Sequence, residues 1–206
     1  MHVLFVCNGN VCRSVIAERL ARAVAAEHGL SALTAESAGT RALVGFPPEP
    51  LAAQTIVGLG ADPEGFRARK LKPEMIDRAD LVLCMTEQIR DQAAALAFGG
   101  WPRTFTLLEA RRIAKVTGAR TVAELHRARD DLALVGRENI ADPVGLSEAA
   151  FCEVGDRIAE ALVPLLLALA PLERIRPRED ERPGLVMQPG ARPAPLASFL
   201  AAQRIR

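Results

Sequence analysis

The chain has no tyrosine and a single tryptophan among its 206 residues, only four cysteines and three histidines, and a net charge of just +1. Each scarcity excludes something. Cys7, Cys12, Cys84 and Cys152 form no CxxC pair, and His2, His28 and His126 are scattered with no HExxH, so no metal site is expected. Residues 1–6 lack the charged start and long apolar run of a signal peptide. The expectation is a cytoplasmic chain whose cysteines are reduced and do not form a disulfide framework. The longest apolar run, ALVPLLLALAPL (161–172), is too short to span a bilayer, contains two prolines and reads as a buried last helix. A near-neutral charge gives no reason to expect nucleic acid or a membrane surface as partner. Lysine is scarce too: Lys70, Lys72 and Lys115 are the full set, and arginine supplies the remaining cations.

What is present is an alternation of strand and helix patterns. Half of the residues are hydrophobic, enough for a core. HVLFV (2–6) reads as a fully buried strand, and 14–30 as an amphipathic helix stopping at Gly29. LTAESA (33–38) reads as a second strand, followed by the loop GTRALVGFPPEP, and 49–60 as a helix. DLVLCM (80–85) is a third strand, after which Thr86 caps a helix to about Leu96. RTFTL (103–107) is a fourth β-rich run, and helical patterns follow at 107–116, 121–133 and 147–169. This alternation predicts an α/β fold, a parallel sheet with helices on both faces. Such sheets bind ligands beyond the C-terminal ends of their strands. Residues 171–206 hold six of the fourteen prolines and little periodicity, and read as a largely extended or disordered tail; LASFLAAQRI near its end has the pattern of a short docking helix.

The segment CNGNVCRS (7–14) sits at such a strand end and opens a helix. A cysteine thiolate is a strong nucleophile only when its charge is stabilised. A helix N-terminus offers unpaired N–H groups and about half a positive charge, and Arg13 adds a permanent planar cation. Asn8, Gly9 and Asn10 tolerate left-handed backbone angles, so successive N–H groups can converge as a nest on a tetrahedral dianion. One loop then both activates Cys7 and holds a phosphoryl group over it, with Arg13 gripping two oxygens. In-line attack gives a phosphocysteine that water hydrolyses. Ser14 can cap the helix and donate to the Cys7 sulfur. Cys12 is either a small buried residue or a reversible oxidation partner of Cys7. Asp142, on a loop stiffened by Pro143 and followed by a helix capped at Ser147, is a candidate general acid. Cys-x5-Arg spacing alone is weak, and Cys84–Arg90 (CMTEQIR) repeats it; that segment has no glycine, carries Glu87 against any anion, and reads as a core residue before an ordinary helix.

With these residues assembled, the chain resembles the low-molecular-weight protein tyrosine phosphatase family over roughly residues 1–170. The likeness lies in VLFVCNGNVCRS, the following IAE, ESAGT (36–40), RARKL (67–71), DLVLCMT (80–86) and DPVGLSEAAF. The resemblance implies a flavodoxin-like, three-layer fold with a four-stranded parallel sheet and no cofactor or metal. It implies Cys7 as nucleophile, Arg13 as phosphate clamp, Ser14 as helper of the departing thiolate and Asp142 as general acid. Asn8, Gly9, Asn10, Val11, Cys12 and Ser37 would bind phosphate or hold the loop in shape. The substrate would be a phosphorylated protein or small phosphomonoester. Residues 108–138 exceed what the family core requires and read as an insertion.

The chain departs from the family pattern at Val15 (usually proline), Val144 (often aromatic), Arg41–Val44 (usually holding a cleft aromatic, a part left to Phe46) and Phe66 (commonly histidine). Losing one aromatic contact costs about 1 kcal/mol, so phosphatase chemistry is better supported than tyrosine preference. Other readings stay open. A related arsenate reductase would need an external thiol, since Cys84 has no cysteine in the helix after it. A related arginine phosphatase carries threonine where Val11 stands. A phosphate-binding module without turnover is the third.

Overall fold

The computed structural model describes residues 1–129 and 139–170. The tail at 171–206, with its docking helix, and the end of the 108–138 segment lie outside the described residues.

Four strands, β1 (His2–Cys7), β2 (Thr34–Gly39), β3 (Leu81–Cys84) and β4 (Thr104–Thr106), form one all-parallel sheet in the order β2-β1-β3-β4. β1 pairs with β2 on one side, Cys7 level with Gly39, and with β3 on the other, Val6 level with Cys84. β1 is therefore the switch point, and the loop leaving it opens into the crevice where α/β sheets bind ligands.

Side-chain alternation along β1 divides the core. Val3, Phe5 and Cys7 face one layer with Leu81, Leu83 and Phe105, while Leu4 and Val6 face the other with Val82 and Cys84. The first layer is covered by α1 (Arg13–Glu27), α2 (Pro50–Gly58), α5 (Leu107–Thr117) and α7 (Glu148–Leu169); the second by α3 (Pro73–Arg78) and α4 (Glu87–Leu96). Strands buried on both faces explain the near-continuous apolar runs. α1 ends where Gly29 adopts φ 63° and Leu30 N–H closes on the Ala25 carbonyl at 2.8 Å. α2 and α7 approach closely at Gly155, where a Cβ would run into the Thr55 methyl.

The strand and helix readings hold within a few residues, except that the end of the 121–133 helix lies outside the described residues. α3 was not expected: six residues opening on Pro73 are too few to show a period. α5 closes against α7 with Leu107, Ala110 and Ile113 fully buried, its start fixed by the Thr106–Glu109 capping box. α6 (Val122–Arg129) ends with the Arg129 guanidinium 3.8 Å from the Phe105 ring centroid and 3.0 Å from Glu109. The start of the expected insertion thus packs into the main core. Among the described residues no helix is long and apolar enough to cross a membrane.

Candidate active site

The loop after β1 is shaped by where its carbonyls go. The carbonyls of Cys7, Asn8, Gly9 and Val11 accept the amides of Thr40, Arg41, Leu43 and Glu49 at 3.0, 2.9, 3.0 and 2.8 Å. All four partners lie on the segment leaving β2, so the carbonyls are turned outward. Asn10, at φ 55°, reverses the chain, and its amide donates to Cys7 Sγ at 3.2 Å. The amides of Asn8, Gly9, Val11 and Cys12 donate to no described residue. Backbone donors gathered on the concave side of a loop, at the mouth of α1, make an anion nest. Gly39 lets β2 approach this closely: a Cβ there would overlap the Asn8 carbonyl oxygen.

A side-chain relay holds the nest. Asn10 Oδ1 accepts the Arg69 amide at 2.7 Å, which fixes the orientation of its carboxamide. Asn10 Nδ2 then donates to Ser14 Oγ (2.9 Å) and Ser37 Oγ (2.8 Å), and the Ser37 hydroxyl donates to Glu18 at 2.5 Å. Ser14 Oγ, which accepts from Asn10, lies 2.9 Å from Cys7 Sγ, and when Cys7 is a thiolate the hydroxyl is the donor of that bond. Glu18 is buried and is neutralised by Arg22 at 2.7 Å. The sulfur, 2 % exposed, thus faces one amide and one hydroxyl.

Two expectations need correction. Ser14 does not cap α1: the helix begins at Arg13, Cys12 stands at the cap position with no side-chain cap bond, and the Ser14 hydroxyl is committed to the sulfur and Asn10. Ser147 likewise occupies the cap position of α7 without a side-chain bond. Cys12 is buried in the core layer, and burial together with neighbouring Cys7 pushes its thiol well up, so it is held as a thiol.

Arg13 and Asp142 meet although 129 positions separate them. Arg13 Nη1 donates to the Ile140 carbonyl at 3.0 Å, Nη2 donates to Asp142 Oδ2, and Nε is buried without a hydrogen-bond partner among the described residues. The Asp142 loop is tied down on its other side. Ile140 N–H donates to the Met85 carbonyl (2.8 Å), and Asn139 Oδ1 accepts the Glu87 amide (2.7 Å). A cleft of about 200 Å³ opens above, lined by Asn8, Arg13, Thr40, Arg41, Gln88, Gln92 and Asp142 together with Thr86 and Ile89. Phe46 is 59 % exposed and does not line it.

Cys7, Asn8, Gly9, Asn10, Val11, Cys12, Arg13, Ser14, Ser37 and Asp142 therefore gather around one crevice. Sequence reasoning missed Glu18, Gly39, Arg69, Asn139, Gln88 and Gln92. Glu18, Gly39 and Arg69 lie within the segments IAE, ESAGT and RARKL that carry the resemblance, which assigns them no role; Asn139, Gln88 and Gln92 leave no such signal.

The family model described as low molecular weight phosphotyrosine protein phosphatase matches residues 2–176. The chain is 37% identical over 108 residues to the low molecular weight protein-tyrosine-phosphatase Etp of Escherichia coli (strain K12), an alignment covering 48% of this chain and 70% of that one. It is 36% identical over 114 residues to the protein-arginine-phosphatase of Bacillus subtilis (strain 168), covering 53% and 71%. Among solved structures, the low molecular weight protein tyrosine phosphatase from T. tengcongensis superposes with TM-score 0.64 at 27% identity, covering 81% of this chain and 97% of that one.

Proposed function

Since the chain belongs to the low molecular weight phosphotyrosine protein phosphatase family and is thereby a cysteine-dependent phosphatase, we propose that Cys7, Arg13, Ser14 and Asp142 carry its turnover. The observation that supports this most directly is the sulfur of Cys7 standing beside a loop of unpaired amides, four of whose carbonyls are engaged by the segment leaving β2.

The steps follow from the geometry. The phosphoryl oxygens take the free amides of the loop and the Arg13 guanidinium, whose Nε is unpaired and whose Nη2 exchanges Asp142 for the ligand. Asp142, released from Arg13 but still held through its loop, then stands at the cleft mouth beside the leaving group. The Cys7 thiolate attacks phosphorus, a P–S bond forms, the ester P–O bond breaks, and the departing oxygen takes its proton from Asp142. Water next attacks the phosphocysteine, giving a proton to the Asp142 carboxylate. The P–S bond breaks, inorganic phosphate leaves, and the Ser14 hydroxyl 2.9 Å away stabilises the returning thiolate.

Substrate class follows from depth and leaving group. The sulfur is almost fully buried, which favours a long phosphorylated side chain over a short one. A phenolate, with pKa about 10, leaves far more easily than an alkoxide. Phosphotyrosine of a protein is therefore the proposed substrate, and apolar Val11 on the loop fits the tyrosine-type pattern. An internal arsenate-type relay is disfavoured, because Cys84 is fully buried on the opposite face of the sheet from Cys7.

The test is one rate series on p-nitrophenyl phosphate, phosphotyrosine, phosphoserine, phosphoarginine and arsenate with thiol. Hydrolysis of the first two, lost in Cys7→Ser, is the expected result. Fastest turnover of phosphoarginine would move the chain to the arginine class, and phosphate binding without any turnover would make it a binding module.

A further inference from the structure

A second cleft, of about 390 Å³, lies next to the catalytic one. Val44, Ala68 and Met75 give it apolar surface, and Arg69, Lys70, Lys72 and Arg78 give it positive charge. The loop 41–46 separates the two clefts. Arg41 lines the catalytic cleft and Val44 lines the second. The loop is fastened to the basic segment by two hydrogen bonds, Gly45 N–H to the Ala68 carbonyl and Ala68 N–H to the Phe46 carbonyl, both 2.9 Å. The basic segment is in turn fastened to the phosphate loop, since the Arg69 amide donates to Asn10 Oδ1 at 2.7 Å. The position of this cleft relative to Cys7 is thus fixed by hydrogen bonds.

Charge in the second cleft is unbalanced. Arg69 and Arg78 share one carboxylate, Glu36, at 3.1 and 2.8 Å, and His2 shares it too at 2.9 Å. Lys70 and Lys72 have no carboxylate within ion-pair distance among the described residues. Against a net charge of +1 for the whole chain, and with only three lysines in it, two unpaired lysines beside two half-neutralised arginines are a local concentration of positive charge. A solvated basic face needs no concavity and no link to the site; this one has both.

We infer that the second cleft receives a carboxylate side chain of the polypeptide that carries the phosphorylated residue, so that the substrate is a phosphopeptide with Asp or Glu close to its phosphorylated position. The inference rests on the phosphatase reading and narrows it. The phosphorylated side chain enters between Arg41 and Asp142, the backbone crosses the 41–46 ridge, and the acidic side chain meets Lys70 and Lys72.

The test uses two phosphotyrosyl peptides differing only by Glu or Gln at the flanking positions, with p-nitrophenyl phosphate as reference. The full chain is compared with its Lys70→Gln/Lys72→Gln variant. At about 0.01 M ionic strength the wild-type protein should favour the Glu peptide by about three- to ten-fold in kcat/KM, expressed in KM, and the gap should shrink at about 0.15 M. The double variant should lose the gap and keep its p-nitrophenyl phosphate rate. Equal rates on the two peptides, a gap that survives the substitutions, or a parallel fall on p-nitrophenyl phosphate would each overturn the inference. Lysine-dependent binding to phosphatidylserine vesicles without any peptide preference would assign the cleft to a membrane surface instead. A wild-type protein inert on p-nitrophenyl phosphate would defeat the phosphatase reading first, and this one with it.

Discussion

Two segments of this chain share the spacing Cys-x5-Arg at the end of a parallel strand, and they are built in opposite ways. After β1, Cys7 faces the α1 and α7 layer, the next residues leave the strand through a left-handed asparagine, and their carbonyls are turned out toward the segment after β2. After β3, Cys84 faces the other layer and a regular helix starts at once. There the Thr86 hydroxyl accepts the Ile89 amide at 3.2 Å and Asn139 takes the Glu87 amide, so two amides of the helix mouth are already taken by side chains. The arginines differ as well. Arg13 is buried, with one donor free and another on Asp142. Arg90 is spent on Asp91 at 2.9 Å and Glu109 at 3.3 Å, over the face of Trp101. Spacing alone therefore carries no chemistry. Reactivity requires that amides be left over, and that the cation be left over with them.

The largest expected effect tests that contrast directly. Cys7→Ser should lower kcat by at least about 10⁴-fold. Cys84→Ser should leave kcat unchanged and destabilise the fold by about 1–3 kcal/mol, because it buries an unsatisfied hydroxyl. Iodoacetamide labelling should agree: burial pushes the Cys84 thiol up and leaves it unreactive at neutral pH. Equal loss of activity in the two variants would break the comparison.

Next comes the acid. Asp142→Ala should slow esters of poor leaving groups by about 10²–10⁴-fold and spare good ones, read as a steeper dependence of kcat on leaving-group pKa. A uniform fall across leaving groups would reduce Asp142 to a partner of Arg13. The backbone approach follows. Gly39→Ala forces a methyl against the Asn8 carbonyl and should cost about 10²-fold in kcat with the fold retained by circular dichroism. If activity survives, the outward carbonyls do not shape the nest.

The smallest effect concerns β2, the strand that leads into the segment holding those carbonyls. Burial alone would raise the Glu36 carboxyl, but hydrogen bonds from Arg78 and His2 and the charge of Arg69 hold it below its ordinary value of 4.5. A carboxyl depressed in the folded state contributes stability that is present above pH 4.5 and lost as the pH falls through its lower folded value. Thermal unfolding followed downward from pH 6 should show wild type losing its advantage over Glu36→Gln in that acid window. A constant gap would deny the linkage.

Much of the site was legible because it is local. A strand running into Asn-Gly-Asn, then a cysteine, an arginine and a serine before an apolar helix pattern, fits within eight residues. The Cys84 repeat could be set aside by the same local signs. Asp142 needed more, since Asp-Pro by itself is an ordinary turn; only its contact with Arg13 distinguishes it. The cleft wall was harder still. Phe46 was the aromatic on hand, yet Arg41, Gln88 and Gln92 line the opening, because the 43–46 loop is drawn toward Ala68 and away from the mouth.

By itself, then, the amino-acid order determined the alternating strands and helices and the residues of the nucleophile loop. Those depend on neighbours a few residues apart, through period, glycine and asparagine freedom, and helix-mouth amides. The fold alone decided which carboxylate meets Arg13, which segment turns the loop's carbonyls outward, and that Lys70 and Lys72 line a second cleft. These contacts join segments up to 129 positions apart, and they exist because parallel pairing sets β1 level with β2 and β3 in a single register, a choice no short stretch of chain encodes.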